Sequence, residues 1–228
     1  MISNILANVT LPDNYYLDQT WTTIWMVGLT IFFSYLIGIP LGVILNVTDK
    51  HGLYENKIVY RILDVIINIL RAAPFIILMV FLLPYIRNVI GTGTGNVPFV
   101  ICLVITAIPF IARLIESSLK EVDYGVIEAS LAMGASKLRI IFKVLIPEAK
   151  SSIIVGFTIA FATILGYTAM AGTIGADGLG KAAYSYGYVR NQRDVLYVSL
   201  VILIVLVVIV QYLGMFIARI LDHRKKGE

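Results

Sequence analysis

Residues 195–218 read VLYVSLVILIVLVVIVQYLGMFIA, a run with no Asp, Glu, Lys or Arg. About 20 consecutive apolar residues are enough for a helix to cross the hydrocarbon core of a bilayer. Four other runs meet the same test: Thr22–Leu45, Val59–Leu82, Val97–Ile115 and Ser152–Ala171. The run from Val97 is the least regular, because Pro98 and Pro109 interrupt it. Proline is tolerated in a membrane helix when neighbouring groups satisfy the freed carbonyls. The expectation is an all-α polytopic membrane protein with five transmembrane helices, in a single domain covering residues 1–228.

Composition agrees. The chain is 59% hydrophobic and 14% charged, against about 25% charged in ordinary soluble domains. A soluble core of 228 residues could not hide that much apolar surface. Of the 18 Lys and Arg residues, Arg87, Lys181, Arg190 and Arg193 fall on one side of the predicted membrane and Arg71 falls inside the second run. The remaining 13 fall on the other side. The positive-inside rule therefore places the N-terminus outside and the C-terminus in the cytoplasm. The net charge of +4 is spread over short inter-span segments, so membrane topology accounts for it and nucleic-acid binding does not. The single cysteine, Cys102, excludes an intrachain disulfide. His51 and His223 stand apart from other ligand types, and no metal site is expected. The first twenty residues carry Asp13 and Asp18 but no Lys or Arg, so the basic start of a signal peptide is missing. An odd number of spans with no internal repeat leaves few helices to enclose a polar path, and a second copy of the chain would supply the other wall.

The polar insert between spans three and four, residues 121–147, falls on the cytoplasmic side. Val122, Val126, Ala129 and Met133 recur at helical spacing, and Gly134 stands where a helix C-cap is expected. Ser136 caps a second helix, with Leu138, Ile141, Phe142 and Leu145 on one face and Lys137, Arg139 and Lys143 on another. Pro147 ends that helix or starts the next. The reading is two short amphipathic helices at an elbow, fit either to lie on the membrane surface or to seat in a groove on a partner protein.

The spacing of Glu128-Ala129-Ser130, Gly134, Val144, Ile146 and Pro147 resembles the EAA loop of importer-type ABC transporter permeases. Ser130 departs from the second alanine of that pattern. A narrower likeness, to the methionine-importing branch of the family, covers most of the chain. It rests on Arg71-Ala72-Ala73-Pro74-Phe75, Ile108-Pro109-Phe110-Ile111-Ala112-Arg113, Gly166-Tyr167-Thr168-Ala169-Met170-Ala171-Gly172 and Gly178 to Tyr188. Thr168 and Asp177 stand where Ser and Gly are more usual. The resemblance implies the type I importer permease fold and a homodimeric translocation path. It implies that two separate ATPase chains dock on the elbows through Glu128, Ala129, Ser130, Gly134 and Pro147. It further implies an extracytoplasmic binding protein that delivers methionine. ATP would be bound by the ATPase chains, with no cofactor and no catalytic residue on this one, in the cell membrane and surrounded by lipid. Import of another small amino acid is the alternative substrate reading.

Other polar features weigh less. Residues 175–182 approximate a phosphate-binding loop, but Ala182 lacks the required hydroxyl and no strand pattern precedes the loop. Asp64, Asn68 and Arg71 share one face of span two. Either Asp64 pairs with Arg71 to fix packing, or Arg71 lines the path. Gly38 with Gly42, and Gly156 with Ala160, suit close helix contacts. Met170 and Tyr167 either pack ordinarily or, as the resemblance implies, form an external gate. An integral-membrane enzyme would need a catalytic cluster at membrane depth, and only Asp64, Asn68 and Arg71 offer one. A carrier working alone would show repeats and ionisable relays, and neither is evident.

Overall fold

The computed structural model describes residues 14–222. Every regular element among them is helical. Helix α1 is Tyr15–Thr48, α2 Lys57–Ala72, α3 Phe75–Ile90, α4 Asn96–Lys120 and α5 Tyr124–Ala132. Helix α6, Lys137–Ile140, runs through a π-turn over Ile141–Leu145 into α7, Ile146–Glu148. Helix α8, Lys150–Tyr167, tightens into a 3-10 segment over Thr168–Ile174. The short α9, Leu179–Lys181, continues as a π-helix over Ala182–Val189, and α10 is Arg193–Leu221.

Four helical stretches are long and apolar enough to span a bilayer: α1, α4, α8 with its 3-10 extension, and α10. The fifth expected span is a bent pair, α2 and α3, meeting at 105°. Proline causes the break. Pro74 lacks an N–H and disfavours helical backbone at Ala73, so one helix ends at Ala72 and another starts at Phe75. The single span expected over Val59–Leu82 is therefore two helices. Pro98 does no such damage. It lies in the first turn of α4, where its N–H would have had no partner, and the least regular run becomes an unbroken helix of 25 residues.

The chain folds as two compact units, and four helices contribute segments to both. Among the described residues, one unit comprises those up to Phe33, then Ala73–Ala107 and Phe161–Val210. Its core joins Met26, Phe75, Met79, Phe99, Leu103 and Ala171. The other comprises Ser34–Ala72, Ile108–Ala160 and the described residues from Gln211 on. Leu45, Ile67 and Ala112 centre its core, with Leu41, Tyr60 and Leu63 packed around them. Here α1 and α4 approach closely. A Cβ on Gly38 would lie 2.7 Å from the Ile111 side chain, and one on Gly42 2.6 Å from the Ala112 carbonyl oxygen. Gly214 of α10 admits Thr158 of α8 in the same way, and the Ser151 hydroxyl donates to the Ala218 carbonyl at 2.9 Å. Along α10, Val201, Val205, Val208 and Tyr212 are all exposed, as suits a helix with lipid for solvent.

Candidate functional site

The elbow is built from its caps outward. The Asp123 carboxylate accepts from the Gly125 N–H at 2.7 Å and starts α5. At the other end Gly134 adopts a left-handed φ of 77°. The Gly134 N–H donates to the Leu131 carbonyl at 2.9 Å, and the Ala135 N–H to the Ser130 carbonyl at 3.1 Å. These two bonds make a Schellman motif, in which Met133 is the C-cap and Gly134 the left-handed residue after it, so the helix ends one residue from where the spacing predicts its cap. Ser136 caps α6 by accepting from the Arg139 N–H. Ser130 is buried, and its hydroxyl donates to the Val126 carbonyl at 2.8 Å. A serine therefore fits where the EAA pattern has alanine, because its one donor is satisfied within the helix. Glu128, Ala129 and Pro147 are exposed.

The expected faces shift. Val122 precedes α5 and is buried, while Val126, Ala129 and Met133 form an exposed apolar stripe. Leu138 and Phe142 are exposed, whereas Ile140, Ile141 and Leu145 are buried. The single face expected for Leu138, Ile141, Phe142 and Leu145 is thus split. The π-turn carries more residues per turn than an α-helix, and it turns Ile141 and Leu145 away from Leu138 and Phe142. Pro147 follows the π-turn in the first turn of α7, where its missing N–H matters least. The elbow consequently offers Leu131, Met133, Leu138 and Phe142 to its surroundings, with Met133 80% exposed.

Behind the elbow lies a charged network that the sequence reading does not anticipate. Glu116 is buried and accepts Arg113 Nη1 at 2.6 Å, Lys120 Nζ at 2.8 Å and the Tyr60 hydroxyl at 3.3 Å. Arg113 Nη2 also donates to Asp64 Oδ1, and to Asn68 Oδ1 at 3.0 Å. Lys120 reaches Asp49 at 2.7 Å. Burial would raise the Asp49 carboxyl, but hydrogen bonds from Lys120 and the Lys50 N–H hold it below its ordinary range. The Asp64–Arg71 pairing does not form, since Asp64 and Asn68 serve Arg113. Arg71 is exposed. The signal was present in the helical spacing of Arg113, Glu116 and Lys120, three and four apart.

In the first unit, Tyr167 stacks on Phe75 with ring centroids 4.7 Å apart, and with Met170 it packs against the core. The loop that approximates a phosphate-binding motif is already filled. The N–H groups of Asp177, Gly178 and Leu179 donate to Asn96 Oδ1, Gln19 Oε1 and Thr23 Oγ1 at 2.6, 2.7 and 2.9 Å. Lys181 pairs with Asp177 at 2.7 Å. Those three N–H groups are thus committed to side chains of the same unit and do not cradle a phosphate.

Residues 38–227 match the family described as "Binding-protein-dependent transport system inner membrane component". A relative in Vibrio cholerae, called a probable D-methionine transport system permease protein, is 45% identical over 94% of this chain and 95% of its own. The methionine import system permease protein of Bacillus subtilis is 41% identical over 98% and 100%. Among solved structures, an inward-facing methionine ABC transporter chain superposes with a TM-score of 0.88 at 40% identity, covering 91% of this chain and 96% of that one. An amino acid ABC transporter chain shares the fold at 18% identity and a TM-score of 0.74.

Proposed function

Because this chain belongs to the family of inner membrane components of binding-protein-dependent transport systems, we propose that it is the permease subunit of an ABC importer for methionine. The substrate reading follows its relatives, which carry methionine in their names over nearly the whole of this chain. Two copies enclose the path. An extracytoplasmic binding protein delivers the solute, and two ATPase chains bind and hydrolyse the ATP. The N-terminus lies outside and the C-terminus in the cytoplasm, as the excess of Lys and Arg on the elbow's side requires.

The elbow carries this reading. It displays Leu131, Met133, Leu138 and Phe142 on a pair of capped short helices, at the position the EAA register gives to ATPase docking. Exposed apolar groups on the watery side of a membrane protein call for a protein partner. ATP binding draws the two ATPases together and the elbows follow, which opens the path outward; hydrolysis resets it. Met170 and Tyr167 serve at the outer constriction, and Arg71, exposed and next to the α2–α3 break, lines the path.

The test is uptake into proteoliposomes holding the permease, its ATPase and its binding protein. Labelled methionine should accumulate only with ATP on the ATPase side, and an excess of unlabelled methionine should suppress it more than other small amino acids do. Accumulation by the permease alone would refute the assignment, and stronger suppression by another amino acid would correct the substrate.

A further inference from the structure

The loop between α1 and α2, residues 49–56, holds the end of α4, where the chain enters the elbow, and the elbow itself. At the approach to α5, Asp49 Oδ2 holds Lys120 Nζ at 2.7 Å. At the start of α6, Lys137 Nζ stands 4.8 Å above the centre of the Tyr54 ring. Asp49 and Lys120 also line a cavity of about 190 Å³, together with His51 and Leu53 of the loop and Val122 and Tyr124 on the elbow side. The loop therefore does not bed down on the elbow as ordinary core would. It holds on through the Asp49–Lys120 and Tyr54–Lys137 contacts, with a gap beside the first, as a bracket does.

The bracket is stiff. The N–H groups of Gly52, Tyr54 and Asn56 donate to the Asp49, Val47 and Thr48 carbonyls at 2.9, 2.8 and 2.9 Å, which folds the loop back onto the end of α1. Asn56 then caps α2, accepting from the N–H groups of Ile58 and Val59 at 3.1 and 3.2 Å. A Cβ on Gly52 would lie 2.4 Å from the Val47 carbonyl oxygen, so the turn accepts no larger residue without moving.

We infer that residues 49–56 act as a brace that makes α1 and α2 move with the elbow, with Asp49 and Tyr54 as its positioning residues. The inference rests on the elbow's being the ATPase-docking element. Force on the elbow reaches α4 directly through the short Glu121–Val122 link. Through Lys120, Glu116 and Arg113 it also reaches Asp64 and Asn68 on α2. The brace adds α1. Without it, α1 would follow the elbow only through its packing on α4, so ATP would be hydrolysed with less movement of the path.

The test uses the complete transporter in proteoliposomes, with uptake and ATP hydrolysis measured together. Tyr54→Ala should retain bound ATPase and hydrolysis while uptake per ATP falls about two- to five-fold, the range one partly exposed cation–π contact commands. Tyr54→Phe keeps the ring and should keep the wild-type ratio. If Tyr54→Ala fails to assemble, the isosteric Asp49→Asn removes the other grip and should lower the ratio instead. A Tyr54→Cys, Lys137→Cys double variant loses the same grip and should show the same fall; joining its two thiols with a short bismaleimide should raise uptake per ATP back toward wild type, because loop and elbow then travel together; Cys102 is buried and stays out of the reaction. An unchanged ratio in Tyr54→Ala, an equal loss in Tyr54→Phe, or no recovery of the ratio on cross-linking would each overturn the brace. The docking reading fails separately, if Leu138→Asp keeps its ATPase.

Discussion

Gly134 holds the elbow's bend through backbone conformation rather than through space. A Cβ there would meet nothing within 4 Å, yet φ is +77°. Most residues other than glycine and asparagine pay about 1–2 kcal/mol in the left-handed region. Gly134→Asn should therefore transport near the wild-type rate, whereas Gly134→Val should lose most ATP-driven uptake while still reaching the membrane. Equal activity of the two variants would mean that the bend is not the transmitting feature. Asp49 allows a pH test. Its carboxyl titrates below the ordinary range because Lys120 and the Lys50 N–H favour the ionised form over the opposing effect of burial. A lowered pKa in the fold means that the contribution to stability is complete above the unfolded value near 4 and is lost as pH falls through the folded value. The melting temperature of the wild type should exceed that of Asp49→Asn by a steady margin from about pH 8 to pH 5, and the gap should close below about pH 4. The pair is partly exposed, so the margin corresponds to about 1 kcal/mol at most. A gap that widened in acid would contradict the assignment of the Lys120 contact.

Helix contacts set a sharper limit on substitution than helix propensity does. Gly42 of α1 faces the Ala112 carbonyl oxygen and the Ile115 side chain, both 2.6 Å from an added Cβ, while Gly28 of the same helix has open space. Gly42→Ala must push α1 off α4 at a cost of about 1–3 kcal/mol. Gly28→Ala should be neutral or stabilise by up to about 1 kcal/mol. Thermal melts of the two purified variants distinguish these outcomes, and similar melting temperatures would disprove the close approach. Gly38, Gly42 and the apolar runs were legible in the sequence because hydropathy and small-residue spacing are local quantities. The helix end at Gly134 and the cap at Ser136 were legible for the same reason. The two helices in place of the run over Val59–Leu82 were only half legible: Pro74 announces a disturbance, but a local pattern carries no angle, and the 105° between the helices cannot be read from it. The split face of α6 was hidden, because a π-turn changes the helical period itself and a pattern argument assumes that period fixed. The Glu116 network was hidden for another reason. Its partners Asp49, Tyr60, Asp64 and Asn68 lie on or beside α1 and α2, and a single sequence does not show which distant charges meet.

On the scale of the whole molecule, two kinds of apolar surface call for different solvents. The exposed side chains of α10 form a band suited to hydrocarbon. Those of the elbow belong to short helices flanked by Lys137, Arg139 and Lys143, charges that favour water over lipid tails. Lipid covers the first kind at no cost, but the second kind stays wet until a protein covers it. This difference separates a docking surface from a membrane-surface hairpin, the alternative the composition left open. Phe142 decides between them, since it is 64% exposed and contributes little to the permease's own core. Phe142→Asp should leave the purified permease monodisperse and as thermally stable as wild type, yet weaken ATPase association by about 30-fold or more, the loss expected at a central contact worth at least about 2 kcal/mol. Ile140→Asp gives the contrasting signature: Ile140 is fully buried, so that variant should fail to fold. If Phe142→Asp binds the ATPase as wild type does, the exposed apolar face of the elbow is not what holds the ATPase, and the energy for transport enters the chain elsewhere.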